Sequence, residues 1–135
     1  MAAFSIFDIA GSGMTAQALR LNVTASNLAN VDDVASNPDD VYRARHPMFR
    51  ARPMDFDSTL AAVSVLGVVE SKQEALSRYQ PGHPLADDAG MIYSTNVNPI
   101  EEMANMISAS KSYQSNLEVV NTAKELMLRT LTLGQ

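Results

Sequence analysis

Two long stretches of this chain repeat apolar residues every three or four positions, and they lie at its two ends. From Asn98 to Leu133 the stripe runs Met103, Met106, Ala109, Tyr113, Leu117, Val120, Ala123, Met127 and Leu131, the spacing of one helical face. Asn98 suits an N-cap, Pro99 suits the first helical position, and Glu101 falls three residues after the cap, as in a capping box. No Gly or Pro follows until Gly134. At about 1.5 Å per residue this helix would be roughly 50 Å long. A small domain cannot cover such a length by itself, so the pattern predicts that something else does.

The N-terminal stretch, residues 5 to about 31, predicts a second helix. Its stripe is Ala3, Phe7, Ala10, Met14, Ala18, Leu21, Ala25 and Leu28. Ser5 and Asp8 have capping-box spacing, and Phe4 with Ile9 has that of a hydrophobic staple. Gly11 and Gly13 weaken it by about 1 kcal/mol each, so this helix needs tertiary partners. Ala18 and Ala25 are small enough to let another helix approach closely.

Between the ends the period changes. Residues 32–41, DDVASNPDDV, hold four Asp and one Pro and predict a turn-rich loop. YRARHPMFRAR, from Tyr42, alternates apolar residues with Arg43 and Arg45, then shifts phase at Pro47 to alternate with Arg50 and Arg52. This predicts an edge strand broken at the proline. Residues 63–71, VSVLGVVES, predict a β-branched strand. YQPGHPLADDAG is an ordered turn or loop, and Gly90–Tyr93 a last short strand. The fold class expected is mainly α with a small β insert. The terminal helices would pair as an antiparallel coiled-coil-like hairpin and the strands would be looped out between them. In ranges, 1–34 is an N-terminal assembly helix, 35–97 a β-rich insert, and 98–135 a C-terminal assembly helix.

Composition narrows the chemistry. A net charge of −5 argues against a general nucleic-acid binder, which needs a basic footprint. The chain has no cysteine, hence no disulfide, thiolate zinc site or thiol nucleophile. Eight Met and no Trp suit adaptable packing surfaces more than a large aromatic core. No apolar run reaches the ~20 residues of a membrane span, and MAAFSIFDIAGSG lacks the basic start of a cleavable signal peptide.

Candidate sites are weak. The Asp residues of 32–41 lack the alternating ligands and bidentate Glu of an EF-hand loop. The arginines from 43 to 52 read as a solvated strand face or a charged protein contact. His46 and His83 each adjoin a proline in loop-like contexts, without a credible triad or ligand set, and His83 with Asp87 and Asp88 reads as turn chemistry. Gly11-Ser12-Gly13 lacks the preceding strand and the lysine of a phosphate loop. Asn22-Val23-Thr24 matches a glycosylation sequon only in mid-helix. Glu101 and Glu102 sit where a helix N-terminus favours negative charge. No enzyme and no cofactor are expected. What remains is exposed apolar surface: Leu126, Met127, Leu128, Leu131 and Leu133 point several ways around one helix, which marks an assembly interface. Head-to-tail packing of such surfaces builds a helical tube.

Longer matches carry a resemblance. The stretches FSIFDIAGSGMTAQALRLNVTASNLAN from Phe4, YRARHPMF from Tyr42 and the whole tail from Tyr79 resemble the bacterial flagellar basal-body rod proteins, of the rod and hook axial family. ASNLAN, Ala25–Asn30, is similar to the signature that axial family shares. NVNPIEEM and the TLTLGQ ending resemble a component of the proximal rod. From Pro53 to Val65 nothing is carried over. The resemblance implies a structural subunit of the drive shaft that crosses the periplasm, exported through the flagellum's own type III apparatus without a cleaved signal. Its terminal helices would order on assembly, as disordered segments do on binding. Partners implied are copies of itself, the other proximal and distal rod proteins, and the inner-membrane ring and export-gate proteins. The residues expected to pack between subunits are Phe7, Met14, Leu21, Asn27, Leu28, Asn30, Met103, Met106, Tyr113, Leu117, Val120, Asn121, Met127 and Leu131. The asparagines among them, with Asn105 and Asn116, would fix register as a buried Asn does in a coiled coil. Outside this family, a soluble helical adaptor or export chaperone would use the same amphipathic ends.

Overall fold

The structure, a computed structural model, describes residues 2–54 and 60–134. Two long helices, α1 (Ala2–Ala29) and α2 (Pro99–Leu133), enclose five strands: β1 (Val34–Ala35), β2 (Arg45–Pro53), β3 (Ala61–Glu70), β4 (Leu76–Tyr79) and β5 (Met91–Ser94). No helix among the described residues is long and apolar enough to cross a membrane.

The start of α2 follows from its sequence. Asn98 is extended, and its side chain accepts from the N–H groups of Ile100 and Glu101 while Pro99 opens the helix. That satisfies donors a helix start otherwise leaves orphaned. The start of α1 differs from expectation. It is already helical at Ala2, so Ser5 and Asp8 lie within the helix and do not begin it. Ala3 and the proposed Phe4 staple fall on side chains outside the described residues.

The helices pack against each other in opposite directions. Gly13 meets Asn116, and seven residues further along α1 the Arg20 guanidinium donates to Asn105 Oδ1 at 2.8 Å. A Cβ on Gly13 would lie 2.9 Å from Asn116 Nδ2, so the missing side chain lets the helices close.

The insert is not looped out. β2 and β3 form an antiparallel hairpin that lies along α1. Asn27 of α1 holds both backbone groups of Arg45, and Ser12 Oγ accepts from Val63 N–H at 3.0 Å, opposite Ala51. Fifteen helical residues from Ser12 to Asn27 span about 22 Å. Six strand residues from Arg45 to Ala51 span about 20 Å. The two lengths agree, and helix and hairpin run side by side.

Pro47 does not break β2, which runs from Arg45 through Pro53, and His46 sits within it opposite Val69. A two-stranded sheet leaves every second N–H outside the ladder, and a proline there loses nothing. The irregularity lies across the hairpin: Met48 faces Gly67 but Phe49 faces Val65, so Leu66 is the extra residue of a bulge. Gly67, at φ 147°, takes a backbone conformation closed to L side chains.

The second sheet is small, with order β1-β5-β4, all antiparallel. β4 was not expected from the pattern, since all four of its residues are exposed. The loop before β5 closes on itself. Asp87 Oδ1 accepts from the N–H groups of Ala89 and Met91, and His83 Nδ1 accepts from Leu85 N–H. His83 and Asp87 are thus occupied in turn chemistry.

Candidate assembly surface

Most of the fully buried apolar side chains are small: alanines at 10, 16, 44, 62 and 109, with Val23, Val41, Ile92 and Val97. They concentrate where α1, the first turns of α2 and the strands meet. The polar hub of that region is Asn27, 1% exposed. Its Oδ1 accepts from Tyr42 Oη–H at 2.8 Å and Arg45 N–H at 2.9 Å, and its Nδ2 donates to the Arg45 carbonyl at 2.9 Å. Around it, Asp33 Oδ2 accepts from Tyr42 N–H, and Asn96 bridges Ala44 N–H to the Gln73 carbonyl. Arg45 also pairs with Glu70 and covers the Tyr42 ring. Both polar atoms of the Asn27 side chain have partners, the condition under which such a hub fixes one arrangement.

The face that α1 turns to its own chain is not its most apolar one. Ala10, Gly13, Ala16, Arg20, Val23, Thr24 and Asn27 make the internal contacts. At 3.6 residues per turn that line is rotated by roughly 100° from the stripe of Met14, Ala18, Leu21, Ala25 and Leu28. Met14, Leu21 and Leu28 are half-buried, and Ala25 is exposed. Within the chain, α2 comes close to α1 at Gly13. The reason for the rotation is long-range: Arg20 and Asn27 find their partners on α2 and β2, which local periodicity cannot register.

On α2 the expected stripe is closer to the observed one. Ala109 is fully buried, and Met106, Tyr113, Val120 and Met127 are half-buried, as is Phe7 on α1. Met103, Leu117 and Leu131 are exposed. Asn30 donates to the Ser26 carbonyl, Asn105 accepts from Arg20, and Asn121 is exposed. Beyond Ala109 no α2 residue is buried. The exposed apolar residues of α2 that the pattern did not single out are Ile100 and Ile107 on its outer side, and Val119 further along.

The last turns of α2 and the start of α1 form an open apolar groove of about 640 Å³, floored by Ile6, Val119, Ala123, Leu126 and Met127 and rimmed by Glu118, Thr122 and Thr130. The chain exposes 9404 Å², whereas a compact monomer of 14.6 kDa exposes about 6900 Å². The excess of about 2500 Å² exceeds the total area a standard protein–protein interface buries. That excess is total area, and its apolar part at the groove is what marks an interaction surface. Among the described residues, no group of three or more His, Asp or Glu side chains is placed to hold a metal ion.

Comparison with known proteins agrees with this reading of the two ends. Residues 7–35 match the family described as "Flagella basal body rod protein", and residues 88–133 match "Flagellar basal body rod FlgEFG protein C-terminal". Over all 135 residues, and over the whole of each relative, the chain is 50% identical to the flagellar basal-body rod protein FlgC of Escherichia coli O6:H1 and 49% identical to that of Salmonella typhimurium. It is 38% identical, over 137 aligned positions, to FlgC of Buchnera aphidicola subsp. Schizaphis graminum.

Proposed function

The chain belongs to the FlgC family of flagellar basal-body rod proteins, and from that premise we propose how its fold builds the rod. It is a structural rod subunit of the flagellar basal body, not an enzyme, and it assembles with other rod components. In our reading it belongs to the proximal rod, in the periplasm, and reaches it by type III export. Its neighbours are copies of itself and the other proximal- and distal-rod proteins, with ring and export-gate proteins at the base.

The terminal helices carry the assembly. α1 and α2 act as a coiled-coil-like pair whose outer faces interleave with those of adjoining subunits, so torque passes through packed helices and not through a flexible link. The observation that carries this is the unburied apolar surface of α2 beyond Ala109, above all the groove at Val119 and Leu126. Of the apolar residues expected between subunits, Met103, Leu117 and Leu131 are the most accessible. Phe7, Met14, Leu21, Leu28, Met106, Tyr113, Val120 and Met127 would pack at the margin between the chain and its neighbours. Asn121 and Asn30 would set register from the exposed sides. Asn27 would act indirectly, by holding the strands against α1. The three ranges 1–34, 35–97 and 98–135 then divide the labour between two assembly helices and an insert that braces them.

Leu126 provides the test, because it is exposed in the single chain. In cells whose sole copy carries Leu126→Glu, we expect swimming to be lost and basal bodies to lack a completed rod, with the chain itself still produced at normal level. Normal swimming would contradict the role given to the groove.

A further inference from the structure

Glu102 is 4% exposed, yet no hydrogen bond to its carboxylate and no ion pair with it occurs among the described residues. Its carboxylate keeps only a narrow contact with solvent and has no partner among the described residues. It lies one turn into α2, where the helix N-terminus favours negative charge. Two arginines line the cavity on one side of it, and both are engaged elsewhere: Arg20 donates to Asn105, and Arg45 to Glu70.

On its other side Glu102 borders a polar notch of about 380 Å³ between the start of β2, the segment after β3 and the first turn of α2. Two of the three side-chain amides in its wall are already used. Asn96 bonds Ala44 and Gln73, and Asn98 caps α2. Glu101 and Glu102 set two carboxylates in its wall, beside the neutral polar side chains of Ser71 and Gln73 and the His46 ring. That chemistry calls for a cation with several N–H groups, for which a guanidinium is the best match.

We propose that this notch is a socket for an arginine of a second copy of the chain, drawn from Arg50 or Arg52. Both are exposed on β2, and neither makes an ion pair or side-chain hydrogen bond among the described residues. Arg43 and Arg45, by contrast, are paired within the chain. Arg50 lies five strand residues beyond Arg45, about 17 Å along the hairpin. The socket lies at the base of the hairpin, near Ala44 and His46. A contact that joins a socket at the base to an arginine further up is heterologous, and repetition with such an axial stagger gives an open helix in place of a closed pair. This inference rests on the rod-subunit reading and names the contact that reading lacks.

Glu102→Gln keeps the shape and removes the charge. In cells whose sole copy carries Glu102→Gln, we expect the swimming ring to shrink to that of cells without the chain, and Arg50→Ala with Arg52→Ala to do the same. The second measurement uses intact basal bodies with a photo-crosslinker in place of exposed Gln73, at the mouth of the notch. We expect an adduct of twice the chain's mass that joins residue 73 to the 45–53 strand of another copy. Full swimming by Glu102→Gln overturns the socket, as does an adduct to a different protein, to the same copy, or none. If the socket fails while Leu126→Glu still abolishes swimming, the rod reading stands without it. If cells lacking the chain altogether swim normally, the rod reading itself falls.

Discussion

Asn27→Ala is the substitution whose effect the structure specifies most fully. The side chain accepts from Arg45 N–H and Tyr42 Oη–H and donates to the Arg45 carbonyl. Truncation strands both backbone groups of Arg45 in a site where Asn27 is 1% exposed. A buried backbone group without a partner costs about 1–3 kcal/mol, so the two together cost about 2–6 kcal/mol. Tyr42 adds less, because its hydroxyl lies 3.3 Å from Ser26 Oγ and its ring is only half-buried. Tyr42→Phe removes one hydrogen bond and leaves Arg45 satisfied, a loss of about 1 kcal/mol. With a urea dependence of about 2 kcal/mol per molar, Asn27→Ala should lower the unfolding midpoint of the isolated chain by about 1–3 M, followed by far-UV circular dichroism. Tyr42→Phe should lower it by about 0.5 M. In the same samples the Arg45 amide should lose hydrogen-exchange protection in Asn27→Ala and keep it in Tyr42→Phe. Equal midpoint shifts for the two variants, or an Arg45 amide still protected without Asn27, would refute the claim that this side chain ties β2 to α1.

Three glycines give contrasting expectations. Gly11 has nothing within 4 Å of a built Cβ, so Gly11→Ala should stabilise the chain by about 1 kcal/mol through helix propensity alone, read as a higher midpoint. Gly13→Leu should lower the midpoint, because even a Cβ there reaches 2.9 Å from Asn116 Nδ2 and a larger side chain forces α1 and α2 apart. Gly90→Ala should also be destabilising, by about 1–2 kcal/mol, since Gly90 has φ 76° and its Cβ would lie 3.0 Å from Pro81 and Tyr79.

The parts of this fold legible in the sequence are those decided locally. Asn98 and Pro99 mark the start of α2 because a cap and its proline act within one turn. Ala109, Tyr113 and Val120 lie on the inner face because α2 meets a single straight partner. The inner face of α1 was not legible. Its apolar stripe and its buried line differ because Asn27 and Arg20 are held by groups 18 and 85 residues away, and a polar residue announces no such partner. Pro47 read as a break because the rule against proline assumes strands on both sides, and the hairpin has only two. β4 escaped notice since Leu-Ser-Arg-Tyr, exposed throughout, has no alternation to read. Glu102 read as a helix-terminus charge, a sufficient account from sequence, and only its burial without a partner sets it apart from Glu101.

The central claim is that α1, the strands and the first turns of α2 hold themselves together while the far half of α2 depends on neighbours. Residue-resolved hydrogen exchange, run on the isolated chain and on purified basal bodies, tests it directly. The account predicts protection around residues 20–30, 41–46 and 92–109 in both samples, and protection of residues 117–133 only in the basal body. Equal, strong protection of residues 117–133 in the isolated chain would contradict it.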